Sequence, residues 1–60
     1  MYQMHDLYCS PTLIGTFFTV KEMKEAARKY DEKNSGDWYP LFKRYDKVRD
    51  EWIPKVYKFK

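Results

Sequence analysis

The spacing of hydrophobic residues changes abruptly between residues 12 and 30. Leu13, Ile14 and Phe17, with their neighbours, are aliphatic, aromatic or β-branched and surround Gly15, which is typical of a strand. A glycine inside such a run indicates a bulge or a close approach of another backbone. We therefore predict a strand that runs up to the start of a helix.

The start of that helix is marked by two local patterns. Thr19 and Glu22 have the spacing of a capping box, in which the threonine accepts from a first-turn amide and the glutamate reaches back to the cap amide. Phe18 and Met23 flank the cap as a hydrophobic staple would. Apolar residues then recur at helical spacing, at Val20, Met23, Ala27 and Tyr30. We predict an amphipathic helix that ends in the aperiodic run 31–37.

A hairpin is predicted upstream of this junction. Residues 2–8 mix apolar and polar side chains and are the first strand of this hairpin. Residues 9–12 are of types common in turns and separate it from the strand around Gly15. We pair Tyr8 with Leu13 across the turn. This pairing groups five residues on one face, which we expect to receive the helix: Tyr2, Met4, Leu13, Gly15 and Phe17.

Residues 38–52 fit two patterns. As a helix, apolar side chains fall on one stripe, at Trp38, Leu41, Phe42, Tyr45, Val48 and Trp52. As a hairpin, Tyr45 and Asp46, then a tight connection, then Trp52 resemble the turn of a kelch-type blade over eight residues. Pro54 ends either element or places it at a sheet edge. We favour the hairpin, with Tyr45 opposite Trp52.

The predicted fold is therefore α+β, a ββαββ domain with one helix packed on an antiparallel sheet. The alternative is an N-terminal hairpin followed by two helices and a short C-terminal strand. With 60 residues the chain is expected to be a single domain over residues 1–60. A domain of this size has a thin core, which the aromatic content of 20% would help to fill.

A single helix covers only one face of a four-stranded sheet, and this has a functional consequence. In the hairpin interpretation a second group of aromatic residues is left open, namely Trp38, Phe42, Tyr57 and Phe59. Exposed aromatic surface of this size usually marks an interface. In the alternative interpretation these rings pack against each other or against a second copy of the chain.

The residue inventory argues against catalysis. His5 is the only histidine and Cys9 the only cysteine, so no zinc site is expected from their spacing. With only Gly15 and Gly36, no glycine-rich phosphate loop can form. We expect no enzyme activity, no cofactor and no metal. The lone cysteine, together with the lack of a signal peptide or an apolar span, indicates a cytoplasmic protein without a membrane partner.

The segment from Ile14 to Thr19, with Glu22 and Ala26, resembles the strand-to-helix corner of the sheet DNA-binding domains of plant transcription factors and phage integrases. In those domains a three-stranded sheet enters the major groove, so the resemblance implies a nucleic-acid partner. The bases are read there by Arg and Trp residues before the corner. Here all 12 Lys and Arg residues follow residue 20.

Two binding functions follow from these observations. The first is a small protein-binding module, such as a phage or mobile-element accessory protein that modulates or inhibits a host protein; a homodimer is a further expectation. The second is a basic and aromatic nucleic-acid-binding domain. The candidate binding residues combine rings and cations of the C-terminal third: Trp38, Phe42, Arg44, Trp52, Lys55, Tyr57, Lys58 and Phe59.

Overall fold

The computed structural model describes residues 1–8 and 10–59, so the predictions that involve Cys9 and Lys60 lie outside the described residues. Its elements are β1 (Tyr2–Asp6), β2 (Thr12–Phe17), α1 (Val20–Lys33), β3 (Pro40–Asp46) and β4 (Glu51–Lys55). The strands form one antiparallel sheet in the order β2-β1-β3-β4. The ββαββ prediction is confirmed, and the alternative with a second helix is wrong because β3 and β4 occupy that segment.

The junction between β2 and α1 forms as predicted in most respects. Thr19 is the N-cap, and its hydroxyl oxygen accepts from the backbone N–H of Glu22 at 3.1 Å. The Glu22 carboxylate accepts from the Thr19 hydroxyl at 3.0 Å, so it does not bind the cap amide as expected. The staple is also absent, because Phe18 is 76% exposed while Met23 is fully buried.

The first hairpin has a different register from the predicted one. Leu13 pairs with His5 rather than with Tyr8, and Gly15 pairs with Met4. Ile14 is therefore an extra residue on β2, a β-bulge that shifts the strand by one position. The bulge directs Leu13 to the side of the sheet away from α1, which corrects the face that we predicted for this residue.

The second hairpin has the predicted register, with Tyr45 opposite Trp52. Its turn is held by Asp46, whose carboxylate accepts from the backbone N–H of Val48 at 2.9 Å. Asp50 has a φ of 52°, a left-handed conformation that aspartate tolerates better than most residues. These side-chain contacts favour the hairpin over a helix that would satisfy the same apolar spacing.

The core lies between α1 and one face of the sheet, which we call the helix face. Five residues are buried there: Met4, Met23, Ala27, Trp38 and Phe42. The segment after β4 extends this cover beyond the helix. Phe59 lies 5.6 Å from Trp38 between ring centroids, and Tyr57 lies 5.8 Å from Phe42. A helix and an irregular C-terminal segment together cover this face.

A buried carboxylate ties the helix to the sheet. Asp6 accepts from the backbone N–H groups of Tyr8 at 2.8 Å and Tyr39 at 3.2 Å, and from the Tyr30 hydroxyl at 2.8 Å. The backbone N–H of Tyr8, aided by Tyr30 and Tyr39, lowers the pKa of Asp6 despite its desolvation. One charged group thus connects β1, α1 and the start of β3.

Candidate docking face

The side of the sheet opposite α1 carries no element of the described chain, and we call it the open face. Strand registers place one row of residues across it, from Thr16 through Gln3 and Lys43 to Pro54. A second row runs from Leu13 through His5 to Leu41. Because side chains alternate along each strand, these residues share one side of the sheet.

An aromatic pair borders the open face near the second turn. Tyr45 and Trp52 are opposite each other, with ring centroids 5.3 Å apart in an edge-on arrangement. The Tyr45 hydroxyl donates to the Asp50 carboxylate, and this hydrogen bond raises the pKa of Tyr45. The hydrogen bond ties Tyr45 to the second turn, and the ring contact places Trp52 beside it.

At its centre the open face has one cation and one histidine. Lys43 and His5 stand on adjacent strands, and burial, together with the Lys43 charge, lowers the pKa of His5. The His5 Nδ1 atom is buried and has no hydrogen-bond partner among the described residues. Strand positions on this face hold no Asp or Glu; Asp50, in the turn, is already bound to Tyr45.

Around these residues the open face is apolar and accessible. Leu13 is 50% exposed, and Tyr39, which precedes β3 and stacks on Tyr8 at 5.8 Å, is 63% exposed. Leu7, beyond β1, adds further exposed apolar area. Contiguous apolar surface of this kind on a small protein typically indicates an interaction site.

The structure corrects the expectation that the predicted aromatic group is open. Trp38 and Phe42 are 6% and 4% exposed, in the core beneath α1. The Trp38 indole N–H donates to the Asp31 carboxylate at 2.8 Å, which satisfies its one polar atom. Tyr57 and Phe59 are partly buried against this core. These four rings therefore pack against each other, as the alternative interpretation had it.

The remaining predicted site residues are not brought together. Trp52 alone lies on the open face. Arg44 and Lys55 are exposed but belong to the helix side of β3 and β4, and Lys58 is exposed in the segment after β4. The predicted mixture of rings and cations is therefore divided between the two sides of the sheet.

A groove of about 370 Å³ opens where β4 ends beside the start of β3. It is lined mainly by apolar groups, including Pro40, Leu41, Pro54, Val56 and Tyr57. Leu41 and Pro54 also belong to the open face, so the groove continues that face around the β4 edge. A single apolar side chain of a partner would fit a space of this size.

The open-face residues that sequence reasoning missed as site residues are Leu41, Tyr45, Tyr39 and His5. Alternation along the strands groups four aromatic or aliphatic residues on one side of the second hairpin: Tyr39, Leu41, Tyr45 and Trp52. Alternation does not show which side of the sheet the helix covers. Each side of β3 carries one cation and at least one aromatic residue, so the sequence of β3 does not indicate which side is buried.

Within the described ranges, no three His, Cys, Asp or Glu side chains are grouped to hold a metal ion. None of the helices described there has the length and apolar character needed to cross a membrane. Comparisons with protein-family models, with curated proteins and with solved structures gave no match for this chain.

Proposed function

We propose that this chain is a cytoplasmic, non-enzymatic protein-binding module that docks an acidic protein surface on its open face. The observation that carries the proposal is the contrast between the two faces of one sheet. The helix face is filled by the chain itself, whereas the open face presents Tyr39, Leu41 and Trp52 without any covering element.

The charge of the open face supports an acidic partner. Lys43 stands in the middle of apolar residues, and no carboxylate occupies a strand position beside it. A partner carboxylate that reaches Lys43 would be partly shielded from water by the surrounding rings, where a charged pair is stronger than on an open surface. Aromatic anchors around one charged group resemble the centre of a protein interface.

Modulation or inhibition of a host protein is part of this proposal and follows from the mode of docking. A rigid sheet face that binds by surface complementarity can block a partner's own surface without chemistry. The groove beside Leu41 would add specificity by accepting one apolar side chain.

Site-directed photo-crosslinking in a cell extract tests this function. A photoreactive phenylalanine analogue placed at Tyr39, which is exposed on the open face, should form a discrete adduct with an acidic protein. The same analogue at Lys29, exposed on α1, should not. The adduct should survive nuclease treatment, because the proposed partner is a protein.

Matched charge reversals complete this test. Lys43→Glu should abolish the Tyr39 adduct, and Trp52→Ala should reduce it at least about tenfold, the effect of losing one anchor of about 1.4 kcal/mol. Lys29→Glu makes the same change of charge on the helix and should leave the adduct intact. An adduct that is indifferent to Lys43→Glu would contradict the proposal.

Nucleic-acid binding is the second candidate, and the open face again carries it. Tyr39, Tyr45 and Trp52 present rings on an antiparallel sheet, and Lys43 supplies a cation for a phosphate, the combination that single-strand binders use. Titration of the Trp38→Phe variant with a deoxythymidine oligonucleotide, followed through the fluorescence of Trp52, tests this candidate. Affinity should fall as salt rises with a log–log slope of about −0.7, because the one phosphate contact at Lys43 releases counterions. A flat salt response counts against a nucleic-acid partner.

A further inference from the structure

The two edges of the sheet differ in how well they are protected against pairing with another strand. β4, at one edge, has Pro54 within the strand and charged residues Glu51 and Lys55 at its ends. β2, at the other edge, has the sequence TLIGTF, with neither charge nor proline. Proteins commonly block edge strands with proline and charge, so only one of these edges is blocked.

Hydrogen-bond geometry shows which groups of β2 face outward. The backbone N–H of Tyr45 donates to the Met1 carbonyl at 2.9 Å, and that of Leu7 donates to the Tyr39 carbonyl at 2.9 Å. Odd-numbered residues of β1 therefore bond to β3. Because backbone groups alternate in direction along an antiparallel strand, its even-numbered residues bond to β2.

This alternation locates Thr16 at a free position. Tyr2 and Met4 pair with Phe17 and Gly15, so the N–H and C=O groups of Thr16 between them point away from β1. Thr16 also begins the row that passes through Gln3 and Lys43 and ends at Pro54. At the β4 end of this row a proline replaces the outward N–H, whereas at the β2 end that N–H is available.

We propose that two copies of this chain pair antiparallel through their β2 edges, which joins their sheets into one of eight strands. A two-fold antiparallel pair sets each β2 edge against the same edge of the other copy, so a charge near the two-fold axis would face its own copy and be repelled. The chain has a net charge of +3, yet β2 has no charged side chain. The edge is thus electrostatically compatible with a second copy.

This pairing extends the open face across both copies. Leu13, half exposed on the open face of β2, comes next to β2 of the partner copy, which shields part of its apolar surface. Pairing of a single strand buries less area than the roughly 1,200 Å² of stable interfaces, so the dimer is expected to be weak and concentration-dependent. Dimer formation through β2 does not require the proposed acidic partner.

Sedimentation equilibrium of the purified full chain tests the dimer. The average mass should move from one copy toward two as the concentration rises from about 10 µM to about 1 mM. Thr16→Pro removes the outward N–H without removing a hydrogen bond of the fold, and should raise the dimer Kd at least about tenfold. Circular dichroism confirms that the variant is folded.

Thr16→Lys gives an independent variant in case the proline disturbs β2. It places one added charge on each edge and should also keep the protein monomeric. Val48→Lys adds the same charge in the second turn, at a position that is 95% exposed, and should dimerise like the unmodified chain. A monomeric unmodified chain at about 1 mM would overturn the proposal. So would a folded Thr16→Lys variant with an unchanged dimer Kd.

Discussion

The two faces of this sheet have similar residues, but only one of them is covered by the rest of the chain. Both carry aromatic rings and both carry a cation on β3, Arg44 on the helix face and Lys43 on the open face. On the helix face the chain supplies its own cover from α1 and from the segment that contains Tyr57 and Phe59. On the open face no described element does so.

The difference shows that aromatic content does not distinguish a core from a docking surface in so small a domain. What distinguishes them is the position of each ring relative to the elements that cover the sheet. Trp38 and Phe42, which face α1, are 6% and 4% exposed, whereas Tyr39 on the other side is 63% exposed. An aromatic ring at the surface is a candidate for binding because it does not contribute to the buried core of the fold.

Adjacent residues of β3 offer the strongest way to separate the faces. Phe42→Ala should cost about 3–5 kcal/mol, because it leaves a cavity in the core. That is much of the stability of a domain whose size suggests about 3–9 kcal/mol in total. Leu41→Ala, on the open face, should cost less than about 1 kcal/mol. Urea denaturation measures both; equal losses would refute the assignment of the faces.

Removing a ring from the C-terminal segment that covers the core should have the next largest effect on the free energy of unfolding. Phe59→Ala removes ring contacts with Trp38 and Phe42 and should cost about 1–3 kcal/mol. Lys58→Ala is the matched control, since this neighbouring side chain is exposed and should change the free energy of unfolding very little. Thermal unfolding compares the two variants. A neutral Phe59→Ala would mean that the segment does not cover the core.

A smaller effect, visible in its pH dependence, tests the Asp6 connection. The folded-state pKa of Asp6 is lowered, so its contribution to stability is present above its ordinary pKa and is lost as the pH falls through the folded-state value. Asp6→Asn should therefore destabilise the protein at pH 6–7, and the difference should narrow below about pH 4.

The Asp6→Asn variant and the protein with Asp6 should both carry His5→Gln, which removes the titration of the histidine from the comparison. Urea midpoints recorded across the pH range give the result. A difference that stays constant with pH would contradict an ionised Asp6 in the folded state.

The smallest effect concerns the close approach at the β2 bulge. A Cβ added at Gly15 would lie 2.9 Å from the Phe17 ring, so the ring must shift on the helix face. The alanine also restricts the unfolded chain, which favours folding by about 0.4–1 kcal/mol. We expect Gly15→Ala to be destabilising by less than about 1 kcal/mol, since the ring can move. Thermal unfolding against Thr16→Ala checks this; a clear gain would contradict the contact.

Much of this fold could be predicted because its signals are local. The N-cap at Thr19, the helical spacing from Val20 and the Tyr45–Trp52 register each depend on residues close in sequence. Gly15 indicated a bulge or a close approach of another backbone, but the position of the extra residue, Ile14, could not be read from local signals. This bulge changed the register of the first hairpin and the face of Leu13.

The covered face was also beyond sequence reasoning. It depends on where an irregular segment of the chain lies, and the packing of Phe59 on Trp38 joins residues far apart in sequence without any periodic pattern. Consequently the predicted site combined core rings such as Phe42 with surface residues such as Trp52. The helix side was predicted correctly for four residues of the hairpin that precedes α1: Tyr2, Met4, Gly15 and Phe17.

The two tryptophans stand on opposite faces and allow the most direct test of the account. Trp38 is buried beneath α1, and Trp52 lies on the open face. Iodide quenching of the single-tryptophan variants Trp52→Phe and Trp38→Phe reports each indole separately in the folded protein. We predict that iodide quenches Trp52 strongly and Trp38 very little. Equal quenching of both, or stronger quenching of Trp38, would contradict the assignment of core and docking face.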